Sequence, residues 1–361
     1  MRKVLLLALG LCLVLSGASF AFHDNGVAEC SGCHTMHNSQ DGVAVDVNGP
    51  NPSLLNAANP SDVCLNCHAG YGSVLYGDVT TGNDYKTPAG NFIFLTATSL
   101  QDNSHGAPIS GDAAGHNVVA PAHGLYAEAT SQITTSPGGA FPNSQLGCTS
   151  CHDPHGTEDF RMLYGAGRVI QRGVATFTAD APVADELSSI MVRSWSADGE
   201  ETPTNHTVYR SGMSEWCGNC HGAFHNNALT SQLTHPTNQI LPGNIATNYN
   251  LYNGTSDITG GAFATAYLVA VPIEIGTDTL YTTASTMGAN AQARVMCLSC
   301  HRAHASSGPD AGRWEFNVTL LEEDGVASGV QAEVNPFDAN QRSLCNKCHI
   351  KDMYDHGSGG Y

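Results

Sequence analysis

Six copies of one short pattern constrain this chain more than any other feature. The first is Cys30-Ser31-Gly32-Cys33-His34, and Cys-x-x-Cys-His returns at Cys64/Cys67/His68, Cys148/Cys151/His152, Cys217/Cys220/His221, Cys297/Cys300/His301 and Cys345/Cys348/His349. Two thiols and an imidazole at this spacing are the attachment signal of c-type haem. Six motifs therefore imply six covalently held haem c groups, each with one histidine on its iron. Of 13 cysteines only Cys12 lies outside the motifs, so no thiol is left for a disulfide or a nucleophile. A disulfide scaffold or structural zinc would give no reason for a histidine after every second cysteine.

Residues 1–21 read as a secretory signal peptide: Arg2 and Lys3, an apolar run from Val4 to Leu15, then small residues up to Ala21. Leu11 stands where a lipoprotein signal needs a small residue, which argues against a lipid anchor on Cys12. Residues 22–361 then form one hexahaem cytochrome domain without a sharp internal boundary. With so many haems for this length, most of the chain must lie within reach of a porphyrin, and the cofactors replace much of the side-chain core. The low aromatic content of 7% agrees with that.

The formal net charge is −18. So acidic a surface repels nucleic acid and anionic lipid, and both are excluded as partners. Outside the signal peptide no apolar run reaches the length of a membrane helix; Tyr267 to Ile275 is short and carries Pro272.

Gly, Pro, Asn, Ser and Thr punctuate the chain at short intervals, which predicts a mostly irregular fold. The expected architecture is a multihaem cytochrome c with short helices at the motifs and a few short strands, wrapped around a chain of six haems. Asn59-Pro60 offers an N-cap and a first-turn proline before Cys64, and Ser214-Glu215 does similar work before Cys217. Gln292 to Ala305 and Gln341 to Tyr354 also read as helical. Leu280 to Thr283 and Phe316 to Leu321 read as short strands. The Gly-rich end, residues 357–361, reads as a mobile tail.

Each motif histidine fills one face of its iron, so six more ligands are needed for bis-histidine haems. Seven histidines are candidates: His23, His37, His116, His155, His225, His235 and His304. His37, His155 and His304 follow a motif histidine by three residues and His225 follows one by four. One helical turn sets such a pair on the same face, so the second imidazole cannot reach the far side of the same macrocycle and is free to serve a neighbouring haem. His116 and His235 precede β-favouring or proline residues, and His23 lies just before the first motif. His105, His123, His206 and His356 read as loop histidines.

At these residues the chain resembles a known family, the hexahaem outer-surface c-type cytochromes of metal-reducing bacteria of the OmcS kind. The resemblance runs through Phe22-His23, Gly26-Val27-Ala28-Glu29-Cys30, Cys33-His34-Thr35-Met36-His37-Asn38-Ser39, Gly115-His116-Asn117 and Cys151-His152-Asp153-Pro154-His155-Gly156. It continues through Gly212-Met213-Ser214-Glu215-Trp216-Cys217, Cys297-Leu298-Ser299-Cys300-His301-Arg302-Ala303-His304-Ala305 and Leu344-Cys345-Asn346-Lys347-Cys348-His349. It implies an irregular fold around a continuous row of haems in which parallel-stacked and T-shaped pairs alternate. It also implies polymerisation into extracellular filaments, in which one subunit supplies a histidine to the fifth haem of the next; the matching position here is His37.

The expected function is extracellular electron transfer, in a filament that carries electrons to acceptors such as metal oxides, with other redox cytochromes as further partners. The same haem chemistry suits a monomeric periplasmic shuttle that passes electrons between partners. A multihaem reductase is the reading of another class. Such enzymes need an iron with an open face, often flagged by lysine in place of the motif histidine, and all six motifs here keep His.

Overall fold

The structure, a computed structural model, describes residues 30–70, 73–77, 88–97, 111–128, 133–170, 173–186, 201–224, 236–252, 260–314, 316 and 344–349. The signal-peptide reading of residues 1–21 lies outside these, as do His23, His105, His225, His235, His356 and the tail.

Among the described residues loops and single turns dominate, as the punctuated sequence leads one to expect. The longest helices are Pro60–His68 and Gly243–Leu251. Strands occur as three separate antiparallel pairs: β1 (Ser39–Gln40) with β2 (Val43–Ala44), β3 (Val169–Ile170) with β4 (Ala175–Thr176), and β5 (Val183–Asp185) with β6 (Val208–Ser211). No helix among the described residues is long and apolar enough to cross a membrane.

What recurs is one turn at each motif. The histidine N–H donates to the carbonyl of the first cysteine at motifs 1, 3, 4, 5 and 6, at 2.9 to 3.0 Å, and motif 2 lies within the helix Pro60–His68. A closed turn of this kind brings both cysteines and the histidine to one side of the backbone. The helix of motif 2 starts where local chemistry says it should. Asn59 accepts a hydrogen bond from the Ser61 N–H, Pro60 opens the first turn and Asp62 follows, each favourable at a helix N-terminus.

Elsewhere tertiary contacts override local signals. The helix Met213–Cys217 begins after Gly212, with no side-chain cap from its own segment. Instead Glu274 Oε1 accepts the Met213 N–H at 2.9 Å, so Ser214 is helical rather than a cap. The helix expected over Gln292 to Ala305 is absent, and a single 3₁₀ turn at Cys297–Ser299 stands in its place. Its first half is extended because Arg294 exchanges two backbone hydrogen bonds with Glu274, at 2.8 and 3.0 Å. Motif 6 likewise lies on a 3₁₀ turn, Leu344–Lys347. The strand expected at Leu280 to Thr283 is a loop: Asp278 accepts the Leu280 N–H at 3.0 Å, and Arg210 donates to the carbonyls of Asp278 and Tyr281 at 2.7 and 2.8 Å. Of Phe316 to Leu321 only Phe316 is among the described residues.

Among the described residues, buried apolar side chains form four separate clusters. Tyr249, Leu268, Ile273, Trp314 and Leu344 pack beside motifs 5 and 6. Leu65, Phe92, Phe94 and Val118 pack behind motif 2, with Ala305 from beyond motif 5. Phe141, Tyr164 and Phe177 pack with Trp216 and Cys220, and Tyr209, Met213 and Met296 with Cys217. Motif cysteines border three of these clusters, so a porphyrin attached to them would pack against these apolar side chains.

Candidate haem sites

Motifs 1, 3 and 5 are held by one set of backbone bonds used three times. A distant residue offers its carbonyl to the motif imidazole: Ser53 to His34 Nδ1 at 2.9 Å, Arg161 to His152 Nδ1 at 2.8 Å, Asp310 to His301 Nδ1 at 2.8 Å. The next residue's carbonyl accepts the N–H that follows the histidine: Thr35 to Leu54, Asp153 to Met162, Arg302 to Ala311, each at 2.7 to 2.8 Å. Two residues further on, Asn56, Tyr164 and Arg313 donate to the carbonyl of the second cysteine at 2.8 to 3.0 Å. Bringing the carbonyl in requires left-handed backbone at two successive non-glycine residues, with φ of 57° and 54° at Ser53 and Leu54, 54° and 55° at Arg161 and Met162, and 56° and 57° at Asp310 and Ala311. Such a residue costs on the order of 1 kcal/mol or more, and the chain accepts that cost three times in the same place.

His221 is anchored likewise, Nδ1 to the Pro137 carbonyl at 2.8 Å, and so is His116, Nδ1 to the Ala303 carbonyl at 2.6 Å. A carbonyl can only accept, so Nδ1 carries the hydrogen in all five rings. The lone pair is left on Nε2, and a metal-binding imidazole is usually tethered in this way. Burial pushes His116, His152 and His301 below the ordinary histidine range, and burial with His152 and His116 nearby pushes His304 down to about 3. These rings are kept neutral, the form that binds metal.

Six of the histidine rings come in facing pairs. His34 and His155 have centroids 6.2 Å apart, His152 and His304 6.5 Å, and His116 and His221 5.8 Å. Two imidazoles on opposite faces of one metal, with metal–nitrogen bonds of about 2 Å, have ring centres about 6 Å apart. The three pairs therefore fit an iron between them. The rings of the first pair lie 8° from parallel, those of the other two 69° and 53° apart. His304 is seated by Phe92, stacked on it at 4.5 Å, and by Gly115, whose backbone forms an isolated antiparallel bridge with Ala305.

Other candidates stand differently. No imidazole faces His301 among the described residues; the Phe316 ring lies nearly perpendicular to it, with ring centroids 5.5 Å apart. His37 is exposed and faces no ring among the described residues. His206 is buried rather than set in an open loop, stacked on Tyr267 at 3.8 Å. Both its nitrogens meet carbonyls, Thr207 at 3.0 Å and Ser285 at 2.9 Å, so neither is available to iron. His123 lies on a turn beside the helix of motif 2, and its buried Nε2 has no hydrogen-bond partner among the described residues.

The cysteines give the order of the sites. The Cys64 and Cys148 thiols hydrogen-bond each other, which raises Cys64 and lowers Cys148; Cys217 and Cys297 do the same. The second cysteines are also neighbours. After burial, Cys33 feels Cys67, Cys151 is pushed up to about 12 with Cys220 nearby, and Cys300 is raised with Cys345 and Cys348 nearby. Once a haem is attached these sulfurs are thioethers and do not titrate, but their positions remain. Motif 1 adjoins 2, 2 adjoins 3, and so on to 6: spatial order is sequence order. Second-cysteine contacts alternate with first-cysteine contacts along the row.

No protein-family model matches the chain. It is 33% identical to C-type cytochrome OmcS of Geobacter sulfurreducens over 98% of its own length and 99% of that protein. Two solved filament structures from the same organism are similar to it. The first is described as OmcS nanowires (TM-score 0.76, 31% identity, covering 92% of this chain and 100% of the other) and the second as an Outer Membrane Cytochrome S Filament (TM-score 0.75, 32% identity, the same coverage).

Proposed function

This chain belongs to the OmcS family of c-type cytochromes, and on that premise we propose that it conducts electrons outside the cell as a subunit of a haem filament. As a member of that family it holds six haem c groups with bis-histidine coordination, one on each motif. When bound, each haem supplies an iron that gains and loses one electron without a change of ligands.

Three sites take their ligands from facing pairs: His34 with His155, His152 with His304, His221 with His116. In each even-numbered site the second ligand precedes the odd motif before it, as His116 precedes motif 3. The same order gives His23 to His68 and His235 to His349 and leaves His225 without an iron. His301 takes His37 of the next subunit, which joins subunits end to end. Residues 1–21 direct export, and residues 22–361 are the working unit. The terminal acceptor is an extracellular oxidant such as a metal oxide, reached directly or through other redox cytochromes.

The observation that carries this reading is the unbroken order of motif sulfurs, which leaves no gap in the row. Purified haem-loaded protein should form filaments under electron microscopy. His37→Ala should keep six haems per chain by pyridine haemochrome assay and lose the filaments; intact filaments from this variant would remove His37 from the junction.

A further inference from the structure

Motif 5 is held on one side by its backbone bracket, the Asp310 carbonyl on His301, as Ser53 and Arg161 hold motifs 1 and 3. On the other side it leans on one carboxyl. Glu274 exchanges two backbone hydrogen bonds with Arg294, at 2.8 and 3.0 Å, and Arg294 stands three residues before Cys297. Its Oε1 accepts the Met213 N–H at 2.9 Å, and Met213 opens the helix that ends at Cys217. Glu274 thus ties the approach to motif 5 to the approach to motif 4. The first cysteines of the two motifs meet at the same place. The Cys217 and Cys297 thiols hydrogen-bond each other, the Cys297 N–H donates to Ser214 Oγ at 3.3 Å, and the charge of Glu274 is felt at Cys297. Two neighbouring haems are therefore attached beside one carboxyl.

The surroundings of Glu274 suit a proton better than an ion pair. Its residue exposure is 0%. A second carboxyl, Glu215 of the motif 4 helix, acts on it, and the Oε2 atoms of both are buried with no hydrogen-bond partner among the described residues. Arg294 opposes Glu215, yet its buried Nε bonds to neither carboxylate. β6 runs alongside, its Tyr209 carbonyl accepting the Ile275 N–H at 3.1 Å. Burial keeps the Tyr209 phenol neutral, and Arg210 is occupied by Asp185 and by the carbonyls of Asp278 and Tyr281. Burial raises Glu274 to about 7, with the Met213 N–H and Arg294 opposing the rise and Glu215 adding to it. Glu215 and Arg294 are half-buried, so water reaches the edge of the site.

We propose that Glu274 is a proton-binding site coupled to electron transfer: it takes up one proton when the haem of motif 4 or motif 5 is reduced and releases it when the electron moves on. The electron comes from a neighbouring haem in the row and turns Fe(III) into Fe(II). The proton comes from water and turns the carboxylate into the acid, and no other bond changes. This rests on the reading of six haems in a row and adds a proton to one of its steps. Reduction removes one positive charge from the iron, and a buried site without that charge holds a carboxylate less well. A reduced haem core has no net charge, so the value near 7 belongs to the reduced chain, and oxidation lowers it. The reduced chain therefore holds the proton at pH values just below about 7 where the oxidised chain has released it. Over that range the potential of these haems falls as pH rises.

Redox titration of the full haem-loaded protein between about pH 5 and pH 8 tests this. In the wild type, part of the curve should move to lower potential as pH rises. Glu274→Gln, which still accepts from Met213, should keep six low-spin haems and lose that movement. Glu215→Gln removes a charge that pushes Glu274 up, so the movement should persist but occur at lower pH, which a merely structural role would not produce. The reduced-minus-oxidised infrared spectrum of the wild type should gain the carbonyl band of a buried protonated carboxyl, shifted in heavy water. If Glu274→Gln loses haems, this band decides alone. Equal pH dependence in wild type and Glu274→Gln, which would assign it to haem propionates, or no such band in the wild type, would overturn the proton site and leave the haem row standing. Fewer than six low-spin haems in the wild type would overturn both.

Discussion

His34 and His155 face each other at 6.2 Å with ring planes 8° from parallel, whereas His152 and His304, at 6.5 Å, are turned by 69°. Parallel axial imidazoles split the iron d orbitals that point between them, and crossed ones leave those orbitals nearly degenerate. The oxidised protein should therefore show two low-spin classes by electron paramagnetic resonance, a rhombic one from the first site and a strongly anisotropic one from the third. His155→Ala should remove intensity from the rhombic class only. A single class of signal would rule out this difference in ring orientation between the two sites.

Gly115 is a second point of leverage. A Cβ there would lie 2.6 Å from Ala305 Cα and closer still to the His304 carbonyl. Gly115→Ala would cost about 1 to 3 kcal/mol as overpacking, and it would part His116 and His304 together, because the His116 N–H donates to that same carbonyl at 2.8 Å. The expected result is a high-spin signal or carbon monoxide binding at two sites. Six low-spin haems in the variant would show that the backbone gives way elsewhere.

Glu274 makes stability depend on pH. It is fully buried, and burial, reinforced by Glu215 and opposed by the Met213 N–H and Arg294, raises it from 4.5 to about 7. The folded chain holds this proton where the unfolded chain has released it, so the stabilising effect is complete below about pH 4.5 and is lost as pH rises through about 7. The difference amounts to about 3 kcal/mol at most. Glu274→Gln, which can still accept from Met213, should flatten the fall in Tm between pH 5 and pH 8. An unchanged slope would assign it to another group.

What the sequence discloses is what is local. The six motifs, the histidines three residues beyond three of them, and the helix that Asn59 and Pro60 start are all short-range patterns, and the mostly irregular fold follows from the Gly and Pro punctuation. The brackets leave no trace, because Ser53, Arg161 and Asp310 act through carbonyls that any residue supplies. The helix expected over Gln292 to Ala305 fails for a related reason: its backbone partner, Glu274, is remote in sequence. His206 reads as a loop residue because nothing near it in sequence announces Tyr267 or Ser285.

The four small apolar clusters have a consequence for the life of the chain before it becomes a cytochrome. Among the described residues these clusters are small beside the irregular backbone they help to order, for which conformational entropy costs about 1 kcal/mol or more per residue. Covalent attachment of the haems should then be coupled to folding. A chain without its haems should be more open to proteolysis, and one missed attachment should expose the clusters that its motif cysteines border. Limited proteolysis at graded haem occupancy should then track the number of haems attached.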